Sequence, residues 1–193
     1  LKNLKSGITS APEYKDYSFR SMVHGKPEID LAENIDRKIL RFMGDGAAYN
    51  YISMKEAIND SGLSENDISN ENTGIIVGSG GPSTQNFLNA YEIAKSKGSK
   101  KVGPYMVTRT MSSTNTATLA TPFKIKGVNY SISSACSTSS HCIGNAYELI
   151  QFGKQKIVFA GGGEEVHWTM SVLFDAMGAL SVSYTHLTLP TTE

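Results

Sequence analysis

Cysteine is nearly absent from this 193-residue chain, which has only Cys136 and Cys142. On one helix the two would be separated by about 9 Å of axial rise, too far for a disulfide. A cysteine-stapled secreted fold is therefore excluded, and a reducing, cytoplasmic setting is expected. Neither that spacing nor the four scattered histidines makes a zinc site. Charge of one sign is lacking as well: 18 basic and 18 acidic residues give a formal net charge of zero. That balance argues against a broad nucleic-acid surface. No apolar run is long enough to span a bilayer. The glycine-rich turn Gly78-Ser-Gly-Gly81 is no Gly-x-Gly-x-x-Gly and is not followed by Gly-Lys-Ser/Thr, so neither dinucleotide nor phosphate-loop binding fits. No metal, nucleotide or redox cofactor, no nucleic-acid partner and no membrane contact are expected. The opening Leu1-Lys-Asn-Leu-Lys5 lacks an initiator methionine and a signal-peptide core, and the chain is expected to begin inside a longer protein.

What is present is the length for one domain with a sizeable core and a clear alternation of elements. Val128, Tyr130 and Ile132 alternate with polar residues, the period of a strand. After Cys136 the period changes, and Ile143, Ala146, Tyr147 and Ile150 recur at i, i+3, i+4 and i+7, one face of a helix with Gly153 as its C-cap. Gly74–Val77 is a continuous apolar run, as in a strand covered on both faces, and Ile157–Ala160 is another strongly apolar strand. Further helices are predicted over Asp36–Phe42 with Asp36 as N-cap, and from an Asp45 N-cap to Asp60-Ser-Gly62 with a stripe of Ala47, Tyr51, Met54 and Ile58. Three more cover Gln85–Lys97 with a stripe of Phe87, Ala90, Tyr91 and Ala94, Thr108–Thr121 with Met111 buried, and Thr169–Met177. Pro122 ends the Thr108–Thr121 helix. Residues 1–30, interrupted by Pro12 and Pro27, read as loops with short extended pieces. Strands alternating with helices argue for an α/β fold with parallel strands.

Cys136 stands out because it falls where a strand breaks into a helix. A helix N-terminus favours negative charge, hence the thiolate, which is the nucleophilic form. On pattern alone Cys136 reads equally well as a small buried packing residue. His141, five residues on, lies about 140° around the helix and cannot reach back to the thiol, so it is expected to be packed and hydrogen-bonded. His24 and His167 sit in no catalytic motif. Arg37, Lys38 and Arg41, and the run Lys95-Ser-Lys-Gly-Ser-Lys-Lys101, read by themselves as solvated surface.

The segment Ser133-Ser-Ala-Cys136-Ser-Thr-Ser-Ser-His141-Cys-Ile-Gly-Asn-Ala resembles the active-site segment of the β-ketoacyl-[acyl carrier protein] synthases, most closely the synthase I type. Matching blocks flank it in order: Asp36–Met43, Gly78–Gly81, Val102–Thr108, Leu119–Gly127, Ile157–Glu165 and Phe174–Ser181. The resemblance covers nearly all of residues 1–181. It implies the thiolase-like fold, layered α/β/α/β/α and assembled as a homodimer, with roughly the N-terminal half present here. It implies Cys136 as the acyl-accepting nucleophile of a decarboxylative Claisen condensation with malonyl-acyl carrier protein in fatty acid elongation. Gly81, Met111, Ala135 and Phe174 match acyl-pocket positions. Arg37, Lys38 and Arg41 match positions that dock the acidic acyl carrier protein, and Lys97 and Lys100 match a second such contact.

In that family two histidines and a lysine from the second half complete the site, so this chain is expected not to catalyse condensation. Half of a two-part architecture is also expected to expose apolar faces and to be poorly soluble. A polyketide ketosynthase or a non-catalytic chain-length partner is the alternative; such partners usually lack the cysteine, and Cys136 is present. A thiolase is a third reading, disfavoured by the basic residues around Arg37. After Ser181 the resemblance stops, and residues 182–193 look like translated adapter read-through, with no function expected of His186.

Overall fold

The structure, a computed structural model, describes residues 6–182. The supposed foreign tail, beyond Val182, lies outside the described residues, as does His186. In chain order the elements are β1 (Thr9–Ser10), β2 (Val23–His24), α1 (Leu31–Asn34), α2 (Arg37–Leu40), α3 (Asp45–Ser61), α4 (Glu65–Ile68) and β3 (Thr73–Gly78). They continue as α5 (Thr84–Lys97), α6 (Met106–Thr110), α7 (Thr114–Ala120), β4 (Asn129–Tyr130), α8 (Thr138–Gln151), β5 (Ile157–Gly162) and α9 (Trp168–Ala176). Single 3-10 turns occupy Pro12–Tyr17, Ser99–Lys101 and Ala135–Ser137. These elements form two compact units, one of residues 30–165 and one built from the described parts of 1–29 and 166–193.

The larger unit is built on a parallel sheet in the order β4-β3-β5. β3 pairs with β5 from Thr73↔Ile157 to Gly78↔Gly162, and with β4 at Ile75↔Asn129 and Ile76↔Tyr130. Every residue of β3 is buried, as its continuous apolar run requires of a strand covered on both faces. Alternation along the strand divides the core. Ile75 and Val77 pack with Ile35, Met43, Ala47, Met54 and Leu119, whereas Ile76 packs with Cys142 and Ala146. Thus α3 and α7 cover one face and α8 the other.

The helix ends follow local chemistry. The Asp36 carboxylate caps α2 by accepting the Lys38 N–H at 2.6 Å. Ser64 and Asp67 form a reciprocal capping box on α4. α3 begins one residue earlier than the Asp45 cap predicts: Gly44 is the N-cap, and a Cβ there would lie 2.7 Å from the Arg109 carbonyl oxygen. α8 is capped by Phe152, with Gly153 next at φ +70. There the Lys154 N–H donates to Leu149 O and the Gly153 N–H to Ile150 O at 2.9 and 3.0 Å, the Schellman pattern.

Three expectations are corrected. The predicted Thr108–Thr121 helix is two helices, α6 and α7, because the intervening carbonyls are taken by side chains. Asn115 Nδ2 donates to Ser112 O at 2.7 Å, and Ser131 Oγ donates to Ser113 O at 3.1 Å. Met111 is extended at this break and 51% exposed instead of buried. The α5 stripe points outward: Phe87 and Tyr91 are exposed, and the buried residue is Asn86, held to Ser83 Oγ at 2.8 Å. On α8, Ile143, Tyr147 and Ile150 are exposed while Thr138, Cys142 and Ala146 are buried. The fully buried side chains that α8 sets against β3 and β5 are small.

The smaller unit pairs β1 with β2 antiparallel, Thr9 opposite His24. Ala11, Tyr14 and Phe19 pack there with Trp168, Val172 and Leu180. The Tyr14 hydroxyl and Ser171 Oγ are 2.7 Å apart, and the Tyr17 and Trp168 rings stack at 3.7 Å. His167 caps α9 by accepting the Thr169 N–H, a structural use of that histidine. Asp175 accepts the N–H groups of Arg20 and Ser21.

Candidate active site

β4 ends at Tyr130, and the chain then climbs to the 3-10 turn Ala135–Ser137, which runs directly into α8 at Thr138. Cys136 is the middle residue of that turn and is exposed. No side chain caps α8, and its Thr138 N–H turns back to Ala135 O, so it is the positive end of the helix dipole that bears on the turn carrying the thiol. Cys142, six residues on, is fully buried. Burial pushes its thiol pKa up, against the pull of a backbone hydrogen bond at Ile132; it is a packing residue.

The cysteine turn is held from three sides. Ala135 has φ +50, a conformation sparsely populated by residues with a Cβ. Buried Thr138 braces it from below: its Oγ1 accepts the Ser134 N–H at 2.9 Å and donates to Ala135 O at 2.8 Å. The glycine turn after β3 backs it from the side. A Cβ on Gly78 would lie 1.9 Å from Ile132 O, and one on Gly80 would lie 2.8 Å from Ala135 O, so only glycine permits this approach. Ser133 Oγ donates to Gly80 O at 3.3 Å. The third brace is Glu164, just after β5. Its Oε2 accepts from Ser79 Oγ at 2.7 Å, and its Oε1 accepts the Gly80 N–H.

Glu164 escapes a reading of the sequence because its partners lie some 85 residues upstream. Its only local signal is a carboxylate directly after a run of glycines. Glu165 beside it accepts from Ser83 Oγ at 2.6 Å and from the Gln85 N–H at 3.1 Å, holding the start of α5.

His141 is exposed, not packed, and its Nδ1 lies 2.6 Å from Ser134 Oγ. It is engaged beside the cysteine turn and not with the thiol.

Of the candidate acyl-pocket residues, Gly81 and Ala135 are linked through Gly80, which lies against the Ala135 carbonyl. Gly81 O accepts from Ser79 Oγ, and the Ser83 N–H donates to Thr110 O at 3.0 Å, next to Met111. Phe174 lies on α9 in the smaller unit and is partly exposed. Arg37 and Lys38 are exposed on α2. Arg41 is exposed too, its guanidinium 4.9 Å from the Phe42 ring centre and 5.2 Å from that of Tyr105, which restrains its direction. Lys97 ends α5 and Lys100 sits in the next turn, both exposed. A pocket of about 390 Å³ beside α2 is lined by Lys38, Ile39, Phe42, Ala117 and Pro122 among others; Cys136 does not line it.

The family model for the β-ketoacyl synthase N-terminal domain matches residues 5–188. The chain belongs to the β-ketoacyl synthase family. It is 55% identical over 185 residues to 3-oxoacyl-[acyl-carrier-protein] synthase 1 of Haemophilus influenzae, covering 95% of this chain and 46% of that protein. A β-ketoacyl synthase from Burkholderia phymatum superposes with a TM-score of 0.81 at 24% identity, over 94% of this chain and 45% of that one. A type II polyketide ketosynthase in complex with its acyl-carrier protein and bound to a hexaketide superposes at 0.69 with 18% identity, over 79% and 44%. The chain therefore spans somewhat under half the length of these relatives, and its α/β architecture is the corresponding part of the thiolase-like fold. No helix among the described residues is long and apolar enough to cross a membrane.

Proposed function

We propose that the chain is the N-terminal half of a cytoplasmic β-ketoacyl-[acyl carrier protein] synthase of the synthase I type, with Cys136 as the residue that receives the growing acyl chain. The observation that carries this reading is an exposed thiol in a braced turn at the uncapped start of α8. In the first step the Cys136 sulfur attacks the thioester carbon of the acyl donor. The new thioester forms, the bond to the donor sulfur breaks, and the donor thiol leaves with the proton that Cys136 gives up. The backbone N–H of Cys136 is one donor to the transient oxyanion. In the second step malonyl-carrier protein loses CO₂, and its carbanion attacks the acyl-Cys136 thioester. A β-ketoacyl-carrier protein is released, and one proton restores the thiol.

Gly81 and Ala135 border the acyl chain near the thiol, and Phe174 is assigned to the acyl channel by its match to the family. The exposure of Met111 suits a side chain that reaches into the pocket of a second subunit in the homodimeric parent. Arg37, Lys38, Arg41, Lys97 and Lys100 receive the acidic carrier protein. That partner is supported by the names of the 3-oxoacyl-[acyl-carrier-protein] synthase relatives and by the polyketide ketosynthase solved with its carrier protein. The 55% identity favours fatty acid elongation over polyketide synthesis. Residues 1–181 are assigned to the synthase and 182–193 to foreign sequence, although the family match runs past Ser181. His141, committed to Ser134, does not serve decarboxylation, and this chain alone does not condense.

The test is acyl transfer from hexanoyl-pantetheine followed by intact mass. One hexanoyl group is expected on Cys136, none in Cys136→Ser, and no β-ketoacyl product with malonyl-carrier protein. A wild-type Cys136 that stays unacylated sinks the nucleophile assignment; condensation product sinks the assignment of this half as inactive.

A further inference from the structure

We propose that Glu164 is the positioning residue of the cysteine turn, acting through the Gly80 peptide. The proposal rests on Cys136 being the acyl acceptor. Both carboxylate oxygens are engaged: Oε2 with the Ser79 hydroxyl at 2.7 Å, and Oε1 with the Gly80 N–H. Hydrogen bonds to an ionised acceptor are the strong kind. The Gly80 peptide is thereby gripped at both ends, since its carbonyl accepts from Ser133 Oγ at 3.3 Å. Its Cα presses on the Ala135 carbonyl so closely that a Cβ would stand 2.8 Å from that oxygen and 3.1 Å from Glu164 Oε1. Ala135, at φ +50, persists in that conformation only while its surroundings over-determine it. Thr138 supplies one constraint and Gly80 the other. Without Glu164 the Gly80 peptide moves off, Ala135 relaxes, and the Cys136 backbone rotates while its thiol stays beside the start of α8. The thiol remains exposed but is no longer held in line with the Cys136 N–H that receives an oxyanion.

A residue that positions the thiol affects acyl transfer more than simple alkylation. Acyl transfer passes through a tetrahedral oxyanion that needs alignment, whereas iodoacetamide needs only an accessible thiolate. The experiment uses the 193-residue chain with p-nitrophenyl hexanoate. Cys136 displaces nitrophenolate and becomes the thioester, read as a stoichiometric burst, with buried Cys142 as the internal reference. Glu164→Ala is expected to slow the burst about tenfold while iodoacetamide labelling of Cys136 changes less than about threefold. Glu164→Gln is expected to recover wild-type rates to within about twofold. Its Oε1 accepts the Gly80 N–H, and its amide donates to Ser79 Oγ, whose own proton goes to Gly81 O. Ser79→Ala, which keeps the Gly80 bond, is expected to lose about threefold, and it decides the matter if Glu164→Ala melts before assay.

Equal bursts in wild type and Glu164→Ala overturn the proposal and leave the cysteine assignment standing. So does an equal fall in acylation and alkylation, or Glu164→Gln as slow as Glu164→Ala. A wild-type chain with no burst from Cys136 overturns both.

Discussion

Two carboxyl groups are held below the usual carboxylate range by a few nameable contacts. At Asp67 the cause is the Ser64 hydroxyl, joined by the Ser64 N–H. At Asp175 burial opposes ionisation, and the N–H groups of Arg20 and Ser21 together with the Arg20 guanidinium outweigh it. In both cases the folded chain holds the proton less tightly than the unfolded chain does. The stability these groups contribute is therefore complete above the unfolded carboxyl pKa of about 3.9 and is lost as pH falls through their lowered folded values. Thermal melts are expected to be insensitive to these two groups between about pH 5 and 7 and to lose midpoint below about pH 4. Asp175→Asn is expected to lower the midpoint near neutrality and to flatten the acid limb. An acid limb as steep in Asp175→Asn as in the wild type would remove Asp175 from the account. Cys136 and Cys142 make the same point about context. They stand six residues apart, yet one is open at a helix start and the other is sealed against β3.

At the level of elements, α8 separates what its sequence shows from what only packing decides. Its existence is legible from periodicity, and its end from Gly153. The face it buries is not legible, because hydrophobicity points to Ile143, Tyr147 and Ile150, whereas contact with β3 and β5 selects Thr138, Cys142 and Ala146. Mutations should follow the packed face. Ala146→Leu is expected to cost about 1–3 kcal/mol by overpacking, while Ile143→Ala and Tyr147→Ala each stay within about 0.5 kcal/mol, read by urea denaturation. The reverse ranking would mean that α8 docks on its apolar stripe. β3 was readable for the opposite reason, since covering both faces of a parallel strand demands an unbroken apolar run. The candidate site divides the same way. Cys136 and Gly78–Gly81 carry local signals, a thiol at a change of period and a cluster of glycines. The break at Met111 depends on Ser131, and the Glu164 brace depends on Ser79; neither pairing leaves a trace in its own neighbourhood.

For the molecule as a whole, the deciding quantity is apolar surface left in water. Ile143, Tyr147, Ile150 and Phe152 are 57%, 64%, 45% and 69% exposed, and the first three recur at helical spacing to form a stripe. Contiguous exposed apolar stripes mark contact surfaces or association hazards. A net charge of zero supplies no repulsion to oppose contact between copies. The chain is therefore expected to self-associate as its concentration rises, seen in sedimentation velocity as growth of faster species. Because the attraction is hydrophobic, association is expected to persist or strengthen in sulfate salts, whereas attraction between charges would be screened. Replacing Ile143 and Tyr147 together by lysine is expected to move the onset to higher concentration. The melting midpoint should barely change, since neither side chain contributes to the core. A chain that sediments as a monomer throughout, or a double variant that associates as readily as the wild type, would show that this stripe does not govern association.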